Sequence, residues 1–70
     1  MPQIKKDYMV TNLAADHEEI FDSLNLARKS AATLSIDFGV AHITRWLHHD
    51  NERVFDEKFK VTYRNGEEVK

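Results

Sequence analysis

The sequence predicts an α+β fold of two helices, packed as an antiparallel or angled pair, followed by a C-terminal β-hairpin. Three observations predict it: a helical hydrophobic period over residues 12–33, a second one over residues 38–51, and an alternating apolar segment around Asn65-Gly66. The two glycines and one proline leave no linker at which to divide the chain. We therefore expect residues 1–70 to share one core as a single domain.

The amino-acid composition indicates a folded domain without cysteine chemistry. Of the 70 residues, 41% are hydrophobic and 31% charged, the balance of a folded domain. The absence of cysteine excludes disulfides and thiolate metal sites, and no apolar run follows the first residues, so we expect a cytoplasmic protein. A chain this short buries only about 60% of its unfolded surface, which favours a homo-oligomer.

The N-terminal residues and the first helix are predicted from two different periods. Residues 4–10 alternate weakly between apolar and polar side chains, as in a short edge strand or a structured arm. From residue 12 to residue 33 the period becomes helical, with Thr11 or Asn12 as the N-cap. The apolar stripe consists of Leu13, Ile20, Leu24, Ala27 and Ala31. His17 lies on that stripe as a boundary or hydrogen-bonded core residue, whereas Leu26 lies among charged residues and marks a surface for self-association.

The second helix follows a break at residues 33–37, where β-branched residues alternate with the N-cap residues Ser35 and Asp37. A continuous long helix is the alternative. The second helix runs from Phe38 to about Asn51, or as far as Phe55, and turns Val40, Ile43, Leu47 and Val54 towards the first helix.

The last segment has the pattern of a hairpin. Phe59, Val61 and Tyr63 alternate with polar residues before Asn65-Gly66. A two-residue turn would pair Thr62 with Val69, and a three-residue loop would pair Val61 with Val69. We predict the three-residue loop, because it keeps Val69 on the apolar face.

The candidate binding surface is the outer face of the second helix. At 100° per residue a basic and aromatic cluster shares this face, and tryptophan flanked by arginine is typical of interface hot spots. Its members are His42, Arg45, Trp46, His49 and Arg53. Alternatively, Trp46 packs under the hairpin and the other residues form an ordinary solvated face.

The sequence contains no clear motif for a metal site or for catalysis. The histidines lack the spacing of a metal site, since His48 and His49 are adjacent and His42 lies two turns away. The paired acids fall in charged segments, and no nucleophile elbow or phosphate-binding glycine loop is present. We expect no enzyme, no metal and no cofactor.

Two helices before a hairpin have the order of a winged helix-turn-helix. Gly39-Val40 followed by Ile43-Thr44-Arg45-Trp46 resembles the recognition helix of small prokaryotic regulators and excisionase-type proteins. This resemblance implies DNA binding, with His42, Arg45 and His49 in the major groove. It also implies phosphate contacts from Lys58, Lys60 and Arg64.

The net charge of −2 favours a protein partner over a nucleic acid. The sequence thus predicts a small non-enzymatic regulator, of the size found in phage or plasmid proteins, that acts by protein–protein interaction and associates with itself. The alternative is a DNA-binding transcriptional regulator of the winged helix-turn-helix type.

Overall fold

A computed structural model describes residues 5–69 apart from 13 and 15. The prediction of two helices and a C-terminal hairpin is wrong, because the described chain forms five antiparallel strands and a single helix. In chain order the elements are β1 (Lys5–Asn12), β2 (His17–Phe21), α1 (Leu24–Phe38), β3 (Val40–His49), β4 (Glu52–Arg64) and β5 (Glu67–Val69).

The strands form one sheet in the order β2-β1-β3-β4-β5, with every neighbouring pair antiparallel. The N-terminal residues were predicted to form an edge strand or a structured arm, whereas β1 is an inner strand that lies between β2 and β3. Residues 17–21 were predicted to be helical and instead form the edge strand β2. Strand pairing outweighs the helical period there, since Ile20 pairs with Met9 and stays 55% exposed. Leu13 of the predicted stripe lies outside the described residues.

The helix α1 begins and ends at residues that satisfy its terminal backbone groups. Ser23, not Thr11 or Asn12, is the N-cap, and its hydroxyl accepts from the Leu26 N–H. Gly39 is the C-cap with φ of 92°, and its N–H donates to the Ser35 carbonyl. The predicted break at residues 33–37 is therefore absent, and the helix continues through it to Phe38.

The predicted second helix is a β-hairpin. Val40–His49 is strand β3, and Asp50 and Asn51 turn the chain with φ of 47° and 69°, respectively. Positive φ at both central residues gives the twist that joins two antiparallel strands through a short turn. Residues 52–55 then start β4 rather than end a helix.

The chain turns again at Asn65-Gly66, as predicted, but the predicted register is wrong. Thr62 pairs with Val69 and Arg64 with Glu67, so the loop has two residues. The φ angles of Asn65 and Gly66 are 52° and 88°, which suit this short turn without the bulge that a third loop residue would need. Val69 consequently shares a face with Thr62, not with Val61.

The core lies between α1 and one face of the sheet, which we call the covered face. Leu24, Ala27 and Ala31 of the predicted stripe do face this core, and Leu34 extends it. They pack against buried sheet residues, namely Val10, Ala41, Ile43 and Tyr63. A helix of this length spans about 22 Å, whereas the molecule is 40 Å long. The outer half of the β3–β4 hairpin therefore extends beyond α1.

A bulge in β4 separates the two halves of that hairpin. Thr44 pairs with Lys60, whereas the next residue, Arg45, pairs with Asp56, so residues 57–59 have no partner in β3. The Asp56 carboxylate holds this bulge, because it accepts from the Lys58 backbone N–H at 3.0 Å and from Arg45.

Candidate functional site

The second face of the sheet, which we call the open face, has no layer of described residues packed on it. Side chains alternate between the two faces along each strand, and α1 packs on the covered face. Of the elements that the structure describes, none packs on the open face. Its central residues are Asp7, Met9 and Thr11 of β1; His42, Thr44, Trp46 and His48 of β3; and Arg53, Phe55, Lys60, Thr62 and Arg64 of β4.

Three side chains form a stack on the outer half of the open face. The Trp46 and Phe55 rings are cross-strand neighbours with centroids 5.1 Å apart and planes tilted by 55°. The Arg53 guanidinium lies 4.3 Å from the centroid of the Trp46 ring, a cation–π contact. Phe55 is 43% exposed, so the stack presents aromatic area to solvent.

Asp7, the neighbour of Trp46 on β1, fixes this stack. It is only 5% exposed and accepts two hydrogen bonds from Arg53, at 2.7 Å from Nη2 and 3.2 Å from Nε. His48 Nε2 donates a third. The hydrogen bond from Arg53 lowers the pKa of Asp7 and that from His48 adds to the effect, although burial acts in the opposite direction. The ion pairs hold Arg53 over the tryptophan.

The inner half of the open face carries cations around a histidine. His42 Nδ1 lies within hydrogen-bonding distance, 3.0 Å, of Thr62 Oγ1. Burial lowers the pKa of His42, and the nearby charges of Lys60 and Arg64 lower it further. Within the described part of the chain, neither Lys60 nor Arg64 takes part in an ion pair.

The structure divides the predicted cluster between the two faces. His42, Trp46 and Arg53 lie on the open face, but Arg45 and His49 lie on the opposite side of the sheet, because a strand alternates where a helix would not. The prediction that Val40, Ile43 and Leu47 point inward together is also wrong, since Val40 falls on the open face.

Arg45 contacts Asp56 and Phe59 rather than the Trp46 stack. Its Nε and Nη2 donate to Asp56 Oδ2 at 2.8 and 2.6 Å, and its guanidinium lies 4.7 Å from the Phe59 ring centroid. Phe59 in turn meets Tyr8 edge to face at 5.7 Å. Arg45 lowers the pKa of Asp56, with a smaller effect from the Lys58 N–H. Arg45 thus stabilises the bulge.

The remaining residues that the sequence predicted as contacts do not form one cluster. Lys60 and Arg64 lie on the open face, whereas Lys58 lies in the bulge. Leu26 is 52% exposed on α1, away from the open face, so self-association through it stays a prediction. His17 lies half-buried on β2, where its Nε2 is 3.4 Å from Glu19 Oε2.

The sequence interpretation missed Asp7, His48 and Phe55. The signal that identifies His48 and Phe55 is Asp50-Asn51, a turn-forming pair. If this pair is taken as the turn of a hairpin, Phe55 falls opposite Trp46 and Arg53 opposite His48.

Two further findings concern metal ligands and helices that could span a membrane. Within residues 5–12, 14 and 16–69, no three His, Asp or Glu side chains are close enough together to hold a metal ion. No helix in this part of the chain combines the length and apolar character needed to cross a membrane.

Comparisons with protein-family models, curated proteins and solved structures found no match to this chain.

Proposed function

We propose that this protein is a non-enzymatic module that binds another protein through the open face of its sheet. The observation that carries the proposal is the stack of Trp46, Phe55 and Arg53, which lies on a sheet face that no described element covers.

The residue types of the stack and the fixed position of Arg53 favour a protein-binding surface. Tryptophan and arginine are enriched among residues that dominate binding energy, because each buries much area and arginine adds directed donors. Asp7 holds Arg53 in place, so little side-chain entropy is lost when a partner covers it. Ile20, at 55% exposed, and Val69, at 48%, extend the apolar area towards both edges of the sheet.

The size of the open face suits a protein partner. The longest two dimensions of the molecule are 40 and 22 Å. A stable protein–protein interface buries about 800 Å² on each partner, which is similar to the area of a face with these dimensions. A partner that covered the open face would thus bury enough surface for a specific complex.

Charge defines the chemistry of that partner. Arg53 is neutralised by Asp7, whereas Lys60 and Arg64, on the inner half of the open face, add positive charge that forms no ion pair with any described residue. The complementary surface is apolar where it meets Trp46 and Phe55 and acidic where it meets Lys60 and Arg64.

Two neighbouring residues of β4 give a matched test. Phe55→Glu places a charge on the open face, and Val54→Glu places the same charge on the opposite side at nearly equal exposure, 43% against 47%. Each variant and the wild type would serve as bait for affinity capture from the source cell, followed by identification of the eluate. We expect a protein captured by the wild type and Val54→Glu to be lost with Phe55→Glu. Equal capture by all three baits would refute the open face as the binding surface.

Single-stranded nucleic acid is a second candidate, because cations beside exposed aromatic rings also bind bases and phosphates. This candidate depends on the open face alone, because the segment predicted as the recognition helix of a helix-turn-helix is strand β3. Binding to a short oligothymidine strand should weaken steeply with salt and weaken further in Lys60→Gln and Arg64→Gln. A flat salt response would exclude this candidate.

A further inference from the structure

We propose that β2 and α1 form a separate binding site for an extended segment of another protein that carries lysine or arginine. The segment would pair with β2 and continue the sheet by one strand. This site lies on the opposite side of the sheet from the Trp46 stack and does not depend on the function proposed above.

The first element of the site is the free edge of β2. This strand is outermost in the sheet, and among the described residues it pairs only with β1. The far side of such a strand presents main-chain N–H and C=O groups at alternate residues. An extended peptide satisfies these groups by strand addition, which gives affinity through main-chain hydrogen bonds.

The second element is a groove between β2 and the C-terminal half of α1. Its volume is about 510 Å³, within the usual range for ligand sites. His17 and Glu19 form the strand wall, whereas Lys29, Thr33 and Phe38 belong to the helix wall. Alternate side chains of an added strand would enter this groove, because His17 and Glu19 of β2 point to the same side of the sheet.

The charge around this edge identifies the partner. Four acidic residues lie within or next to β2, namely Asp16, Glu18, Glu19 and Asp22. Asp37 adds a fifth negative charge at the groove, opposed by Lys29. The negative excess complements a basic segment.

The same charges disfavour a second copy of this chain. Antiparallel pairing of β2 with its own copy, centred on Glu19 in the middle of the strand, would place the two Glu19 side chains within about 5 Å on directly opposed positions, and like charges there are destabilising. Edge strands also use such charges simply to prevent pairing. That role predicts that no peptide binds, so the experiment separates the two.

The probe is a labelled synthetic peptide of eight residues in which lysine alternates with valine, measured by fluorescence anisotropy. One control peptide replaces lysine by glutamate, and another carries N-methyl groups on alternate main-chain nitrogens. We expect binding by the lysine peptide alone, together with slower hydrogen exchange at the amides of β2. Binding by the N-methylated peptide, or unchanged exchange in β2, would overturn strand addition. Equal binding by the glutamate peptide would overturn the charge argument.

Two pairs of variants locate the site on the protein. The double substitution Glu18→Lys and Glu19→Lys should weaken binding about tenfold, since two surface ion pairs are replaced by repulsion. The matched double substitution Glu52→Lys and Glu57→Lys on β4 should leave the affinity unchanged.

Thr33→Arg fills the groove from an exposed position, whereas Asn25→Arg makes the same change on α1 outside the groove. We expect loss of binding in the first and none in the second. If the β2 and groove variants bind as well as their controls, the site is refuted. Phe55→Glu should retain peptide binding, so failure of the open-face proposal would be seen independently.

Discussion

Replacement of Asp7 by asparagine tests whether the ion pairs that Asp7 forms with Arg53 and His48 stabilise the sheet. Asp7→Asn keeps the shape of the side chain and removes its charge. The buried carboxylate accepts two hydrogen bonds from Arg53 and one from His48. In the variant, an amide N–H₂ group must sit among these donors or turn its single oxygen to one of them.

The expected loss in the free energy of unfolding depends on how exposed the partners of Asp7 are. Removal of one partner from a buried ion pair costs about 3–5 kcal/mol, and a single hydrogen bond to a charged group contributes about 1.5–3 kcal/mol. The side chains of Arg53 and His48 are 32% and 37% exposed, so water can solvate them when the carboxylate is lost. We therefore expect a loss of about 2 kcal/mol in the free energy of unfolding, or about 10 °C in Tm for a domain of this size.

The same variant should change the response to acid. Because the pKa of Asp7 is lowered from 3.8 in the folded protein, the unfolded chain takes up the proton first as pH falls. The stabilisation is thus complete well above pH 3.8 and is lost as the pH falls through the folded pKa. Asp7→Asn should lack this part of the acid sensitivity.

Urea unfolding at neutral and acidic pH, followed by the fluorescence of the single tryptophan, measures both effects. Asp50→Asn is the matched control, because Asp50 is exposed in the β3–β4 turn and asparagine accepts its positive φ. The reasoning would be refuted if Asp7→Asn were as stable as Asp50→Asn at neutral pH and equally sensitive to acid.

Three further predictions concern the turns and His42. Gly66→Ala should reduce the free energy of unfolding by about 1–2 kcal/mol, because φ is +88° and the new Cβ would lie 2.9 Å from Ile36 Cγ1; an unchanged urea midpoint would contradict this. Ser35→Ala removes the hydroxyl that accepts from the Gly66 N–H at 2.8 Å, so we expect a cost of about 1–3 kcal/mol and faster exchange of that amide, with Ser30→Ala, at a half-buried position of the same helix, as the control. His42 should titrate below pH 6.5 by proton NMR, so stability falls from pH 6.5 towards the folded pKa; His42→Gln should remove that fall, and a titration midpoint above 6.5 would exclude it.

The sequence predicted α1 best where local period and packing agree. Leu24, Ala27 and Ala31 fit a helical stripe and do face the core. The error lay in extending the stripe backwards over β2, whose identity depends on pairing with β1, a contact that no local pattern encodes.

The strand β3 was mistaken for a helix because its apolar residues satisfy both periods. Ile43 and Leu47 are four residues apart, a spacing that places them on one side of a helix and also on one face of a strand. Asp50-Asn51 would have decided between the two, but without glycine this pair is a weaker hairpin signal than Asn65-Gly66.

The same ambiguity explains which site residues were placed correctly. His42 and Trp46 are four residues apart and share a face in either structure, whereas their contact with a partner stays a prediction. Arg45 and His49 are separated from His42 and Trp46 by odd numbers of residues. In a strand they therefore point to the opposite side of the sheet. Phe55 and Asp7 come from other strands, which the predicted helix could not bring to Trp46.

The length of the β3–β4 hairpin leaves its outer half without the support that α1 gives the inner half. The inner half packs in a closed apolar layer that includes Ala31, Leu34 and Ile43. Beyond the bulge, Val54 on the covered side of the sheet is 47% exposed, and β1 pairs with β3 as far as His48. The position of Trp46 therefore depends on the neighbouring strand rather than on the apolar layer. A change in the first residues of β1 should disturb the tryptophan while the packing of α1 stays intact.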